Sequence, residues 1–395
     1  RIDYTNGEPS ILLEPSRTNL FEYDIDFTQV HWTKQNVTLQ SNNAISPEGL
    51  QNASNIYPTT NVAYIYNTTT ASSSVYTVSA YVKANGKNVA WLYSNSASTN
   101  GAIYFDLSDD SMQVVAGSAG TPTGTINKMP NGWYRITYTT GTAISLTGGS
   151  GVGVSDAKGS LNATQNGTDG ILVYGLQIEA GSYATSLIHT SGSAVTRSAD
   201  AANNAGNSDL INSTEGVLYA EIKALANDLS FRVLTISDGS TSNNVGFGYR
   251  NNSNVIYTFV QNVINSSSSI TVADITEYHK VAIKYKSGDF AMYIDGREVY
   301  TSNSSFTLSG LNELGLDNGA TASASFYANA KSVMVFKEAL TDLELEKLTG
   351  YNNHELYMNY YNRLSYLGLV EEYNVESDIN NYILWYQVYY KYQVL

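Results

Sequence analysis

The chain has no cysteine among its 395 residues, which rules out a disulfide framework and any thiolate metal site. Basic residues are scarce: 21 Lys and Arg stand against 35 Asp and Glu, a formal net charge of −14. Such a surface cannot replace the counterions around nucleic-acid phosphate and offers no basic patch to an anionic membrane, so neither partner is expected. Charge of either sign is thin, at 14% of residues against roughly a quarter in ordinary soluble domains. No apolar run approaches the ~20 residues of a membrane span, so membrane insertion is not expected. What takes the place of charge is Ser, Thr, Asn, Gly and 32 Tyr, alongside 42% hydrophobic residues. That composition suits β-rich surfaces, with β-formers inside and small uncharged polar residues outside.

From residue 1 to about 200, short β-prone runs alternate with turn clusters, the pattern of a sandwich or jelly roll. In Val75–Lys83, residues Tyr76, Val78, Ala80 and Val82 form the more apolar face and should meet the core. Val89–Tyr93, Ile103–Leu107, Tyr134–Tyr138 after the Asn131-Gly132 turn, and Ile171–Glu179 read as further strands. Gly148-Gly-Ser-Gly-Val-Gly153 lacks the lysine and following helix of a phosphate loop and reads as a mobile loop. Residues 201–214, small and polar, read as a linker.

A second β series occupies 215–350. Gly216–Lys223 alternates, and Tyr278–Tyr285 should pair with Asp289–Tyr300, in which Asp295-Gly296 makes a tight hairpin turn. Thr341 with Glu344 forms a capping box for a short helix stopped at Gly350. Residues 351–395 are crowded with tyrosine, and helical spacing suggests a short appendage whose Tyr357, Tyr360, Tyr361, Tyr386, Tyr389 and Tyr390 would meet a partner or neighbouring subunit. The expected class is all-β: two tandem antiparallel sandwiches of jelly-roll type plus a C-terminal helical appendage.

Two resemblances add to this reading. The opening "IDYTNG.PSILLEPSRTNL", then "YTVSAYVKANGKNVAWL", "NGWYRITYT" and "YGLQIEAGSYATSLIHTSGSAVTRSAD", resemble bacteriophage tail-fibre and related virion proteins over nearly 200 residues. The resemblance implies a carbohydrate-binding-module-like sandwich, a place on the virion surface, homotrimerisation, and further chain upstream of Arg1. His189 stands where relatives more often have proline. The phrase "HKVAIKYKSGDFAMYIDGREVY" and the ending from Ser332 to Leu348 resemble the laminin-G/concanavalin-A-like lectin domain.

The search for catalytic groups is mostly empty. His31, His189, His279 and His354 show no ligand spacing, there is no G-x-S-x-G elbow, and no E-x-D-x-x-E strand of a glycosidase appears. No enzyme is expected. Calcium is the one cofactor the residues allow, with Asp238, Asn243, Asp317 and Asn318 as oxygen ligands, although the same residues suit turns. Glycan binding needs aromatic faces beside amides, and the sets expected to be exposed are Tyr93 with Asn95, and Tyr249, Arg250 and Asn251 with Tyr257. Trp32, Trp91 and Trp133 read as core residues. The expected function is adhesion of a virion fibre to host polysaccharide, with other virion proteins as partners. The alternatives are a purely structural decoration protein, or an accessory carbohydrate-binding region of a secreted adhesin or depolymerase.

Overall fold

The computed structural model describes residues 2–3, 9–202, 204–261, 263–264, 268–319 and 324–351. The six tyrosines expected at an interface, and the rest of the appendage beyond Tyr351, lie outside the described residues. The chain is nearly all β and divides into two compact units. The first takes 1–201 with 224–230 and 327–329; the second takes 202–223, 231–326 and the described residues from Ala330 on.

Alternation builds the first unit. One six-stranded antiparallel sheet runs in the order Thr123–Lys128, Tyr134–Thr139, Tyr76–Asn85, Gly170–Ala180, Gln51–Pro58, Val37–Ile45. The other runs Ser111–Val115, Ala102–Asp106, Val89–Tyr93, Gly149–Ser155, Ala63–Thr68, Trp32–Gln35. Tyr76, Val78, Ala80 and Val82 pack as expected into one core with Ile65, Leu92, Ile103, Phe105, Val152 and Val154 from the other sheet. Asn131 (φ 62°) and Gly132 (φ 76°) make the turn that launches Tyr134–Thr139. One expectation fails: Gly149–Ser155 is a central strand rather than a mobile loop. Its Ser150, Val152 and Val154 are fully buried, while Gly149, Gly151 and Gly153 alternate onto the other face.

The opening segment is held by a buried polar lock. Arg17–Asn19 pairs antiparallel with Val195–Arg197, bringing together the two ends of the first β series. The Asn19 amide, fully buried, donates to the Ile188 carbonyl (3.0 Å) and accepts from the Phe21 and Ile178 N–H groups (3.1 and 3.2 Å). The buried Glu179 carboxylate accepts from Gln177 and from the Thr185 N–H and hydroxyl. Burial pushes its pKa above the usual value even so. Arg197 lies 3.0 Å from Glu14, whose N–H donates to Asp200.

In the second unit one sheet runs Ser269–Thr271, Val255–Val260, Asn244–Tyr249, Arg232–Ser237, Glu313–Gly315. A second includes Ala328–Phe336, Glu215–Ala224, His279–Lys286, Phe290–Ile294 and Arg297–Ser302 in that order. Asp295 and Gly296, at φ 50° and 80°, join the last pair as the left-handed two-residue turn expected of Asp-Gly. The helix Asp342–Thr349 begins in a complete Thr341/Glu344 capping box. It seats Leu345 against Val217, Tyr219, Ala282, Ala291 and Tyr293. The segment 202–214 is no free linker. Ala205 bridges to Leu314, the Asn212 carbonyl accepts from the Tyr285 hydroxyl, and Ile211 is buried. Its small polar residues satisfy backbone groups of the second unit, which is why composition alone misreads them. Among the described residues no helix is long and apolar enough to cross a membrane.

Candidate binding site

The glycine strand positions the most distinctive surface of the first unit. Cross-strand register sets Gly153 between Trp91 and Tyr64, and Gly151 between Tyr93 and Tyr66. Strands two places apart stand roughly 10 Å from each other. Even so, the Tyr64 and Trp91 ring centroids lie only 5.3 Å apart, and Tyr64 and Tyr93 5.8 Å. The rings therefore lean inward over the glycines. A Cβ on Gly153 would collide with the Trp91 indole, and one on Gly149 with the Tyr66 ring. Tyr64 and Tyr66 stack at 5.5 Å and Trp91 sits 5.4 Å from Tyr93. Offset and tilted pairs of this kind contribute about 0.5–1.5 kcal/mol each beyond burial.

Together these rings line a depression of about 380 Å³, whose rim includes Asn95, Ser96, Ser98 and Leu161. Tyr64 and Tyr66 are half-buried, while Trp91 and Tyr93 are buried beneath them. The Trp91 Nε1–H has no hydrogen-bond partner. Burial, then the neighbouring Tyr66, pushes the Tyr64 hydroxyl above its usual pKa; burial does the same to Tyr93. Both stay neutral at physiological pH.

Of the residues singled out from sequence, the structure brings Tyr93 and Asn95 to this depression. Tyr93 is only 7% exposed, so it backs the site rather than facing solvent. The Asn95 side chain is committed to the adjoining turn, accepting from the Thr147 N–H at 2.9 Å. Trp91, read as a core residue, lies outside the main core in an outer aromatic cluster with Tyr93 and Tyr104, and Tyr64 and Tyr66 pack against it. The overlooked signal was the conjunction of Tyr64-Ile-Tyr66, Trp91-Leu-Tyr93 and Gly149-Ser-Gly-Val-Gly153, three strands alternating in phase. Trp32 and Trp133 are buried as expected, donating to the Tyr23 and Ile45 carbonyls.

The second expected set comes apart. Tyr249 is fully buried and stacks on Phe326 at 5.9 Å, because its strand position points into the unit; it cannot be an exposed platform. Arg250 and Tyr257 do meet, the guanidinium carbon lying 5.5 Å from the ring centroid, with Arg250 also donating to Ser269. Asn251 is exposed in the adjoining turn.

The expected calcium ligands act as turn residues. Asp238 Oδ1 accepts from the Ser240 N–H and hydroxyl and its Oδ2 from Asn243, while Asn243 also bonds the Ser309 backbone. Asp317, buried, closes the turn to Gly319 (φ 92°), with Asn318 half-buried between them. No group of three or more His, Asp or Glu side chains that could hold a metal occurs among the described residues. Three histidines pair with carboxylates: His31 with Glu22, His279 with Asp295, and His189 with both Asp24 (2.7 Å) and Glu48 (2.8 Å).

Comparison with known proteins locates one part of the chain. A laminin-G-type family model, described as the concanavalin A-like lectin/glucanases superfamily, matches residues 197–346. Among solved structures, domains LG4-5 of the mouse laminin alpha1 chain align at 9% identity over 69% of this chain and 86% of that one, with a TM-score of 0.25. At that score the likeness carries no weight for fold or function. No curated protein matches the chain.

Proposed function

We propose that this chain is a non-catalytic adhesion protein that holds cell-surface glycan, as part of a virion fibre. The observation that carries the reading is the aromatic depression of the first unit, where half-buried tyrosine faces lie above a glycine floor. Such faces suit the apolar C–H surface of a pyranose ring. The lectin-type match over 197–346 supports a role in carbohydrate recognition. The virion setting rests on the tail-fibre-like wording of residues 1–200. Several copies on one particle, as in a trimeric fibre, would turn weak single-site binding into avidity.

The full chain on an array of bacterial surface polysaccharides tests the reading. Retention on at least one glycan without release of reducing ends is expected. Failure to bind any would favour a purely structural virion role, and release of reducing ends would make the chain a depolymerase. Detection of the chain on purified phage particles tests the setting separately.

A further inference from the structure

We propose that the depression of the first unit selects an uncharged pyranoside and discriminates against acidic and cationic saccharides; this rests on the glycan-binding reading above. Two full rungs of the sheet face beneath the depression carry no charge. One rung of the sheet reads Thr33, Tyr66, Gly151, Tyr93, Ala102, Val115, and the next reads Gln35, Tyr64, Gly153, Trp91, Tyr104, Gln113. Twelve positions over six strands carry no carboxylate, ammonium or guanidinium. Charge returns only on the following rung, at Asp106, which lies near Lys158.

A uronate or sialate carboxylate placed on this face would lose hydration and find no counter-charge. It would also meet the negative faces of the rings. A cation is attracted to such faces in principle. However, the rings touch one another at centroid distances of 5.3–5.8 Å, which leaves no gap in which to enclose an ammonium group. The ligand must lie on top of Tyr64 and Tyr66, through an uncharged C–H face. Its hydroxyls would then reach the rim serines and the tyrosine hydroxyls. The Trp91 indole, its N–H buried against Gly153, backs the site without donating to the ligand.

The test is binding of the full chain, by calorimetry or array, to length-matched oligosaccharides of three kinds: neutral hexose and N-acetylhexosamine, uronate- or sialate-bearing, and de-N-acetylated cationic. Neutral sugars should bind at least tenfold tighter than either charged kind. Tyr66→Ala should weaken neutral binding at least tenfold. Ser98→Lys, on the exposed rim, should raise affinity for the acidic series relative to the neutral one at least tenfold, and it keeps the test valid if Tyr66→Ala folds poorly. Acidic or cationic sugars binding as well as neutral ones would overturn the selectivity and leave glycan binding standing. Binding to no sugar of any kind would overturn both.

Discussion

Replacing Asn19 by alanine should damage the first unit far more than its short side chain suggests. The amide makes three hydrogen bonds at 3.0–3.2 Å, all to backbone groups and all buried. Alanine leaves the Ile188 carbonyl and the Phe21 and Ile178 N–H groups without partners, at about 1–3 kcal/mol each. Some relaxation and water entry will recover part of this, so a loss of about 3–5 kcal/mol is expected. For a unit of this size that corresponds to a fall of roughly 6–20 °C in Tm. Tryptophan emission is a suitable reporter, because three of the four tryptophans, Trp32, Trp91 and Trp133, lie in the first unit. Asn166→Ala is the control: its amide closes an exposed turn, and it should cost under about 1 kcal/mol. A loss below about 1 kcal/mol for Asn19→Ala would refute the claim that the opening phrase is a buried lock.

Three further outcomes follow. Gly153→Ala should displace the Trp91 indole, costing about 1–3 kcal/mol by overpacking and abolishing glycan binding; unchanged near-ultraviolet circular dichroism would contradict it. Burial opposes protonation of His189, but the hydrogen bonds and charges of Glu48 and Asp24 outweigh it and raise the pKa above 6.5. The folded state therefore holds this proton more tightly than the unfolded one. The stabilisation is complete below pH 6.5 and is lost as pH climbs through the folded value. Urea titrations from pH 6 to 9 should show a shallower loss in His189→Gln than in wild type, with His279, also raised, present in both; identical slopes would count against the pairing of His189 with Asp24 and Glu48. Thr341→Ala removes the capping box and should cost about 1 kcal/mol in the second unit, read by its chemical-denaturation midpoint, with no change expected in glycan binding.

Much of the fold was legible because strand alternation and turn chemistry are local. The core face of Tyr76–Asn85, the Asp295-Gly296 hairpin and the Thr341 cap each depend on residues within a few positions of one another. The binding face was only half legible. Tyr93 and Asn95 were visible as an aromatic beside an amide, but the site needs three strands, and register across residues 64, 91 and 153 is set by pairing that no local pattern encodes. Glycine was misread for the same reason: GSGVG suggests a loop when alone and a bare strand face when rings lie over it. Tyr249 failed differently, since a buried tyrosine and an exposed one look alike in sequence. The Asn19 lock joins positions about 160–170 residues apart, so no local pattern in the opening phrase reveals what it holds.

The central claim is that glycan sits on the rings above Gly151 and Gly153, and the indole N–H resonances test it most directly. Trp32 and Trp133 have carbonyl acceptors, whereas Trp91 has none and lines the depression. On titration with a binding neutral oligosaccharide, the Trp91 signal should shift in proportion to occupancy while those of Trp32 and Trp133 hold still. Saturable binding that leaves Trp91 unmoved would contradict the account and place the glycan elsewhere on the chain.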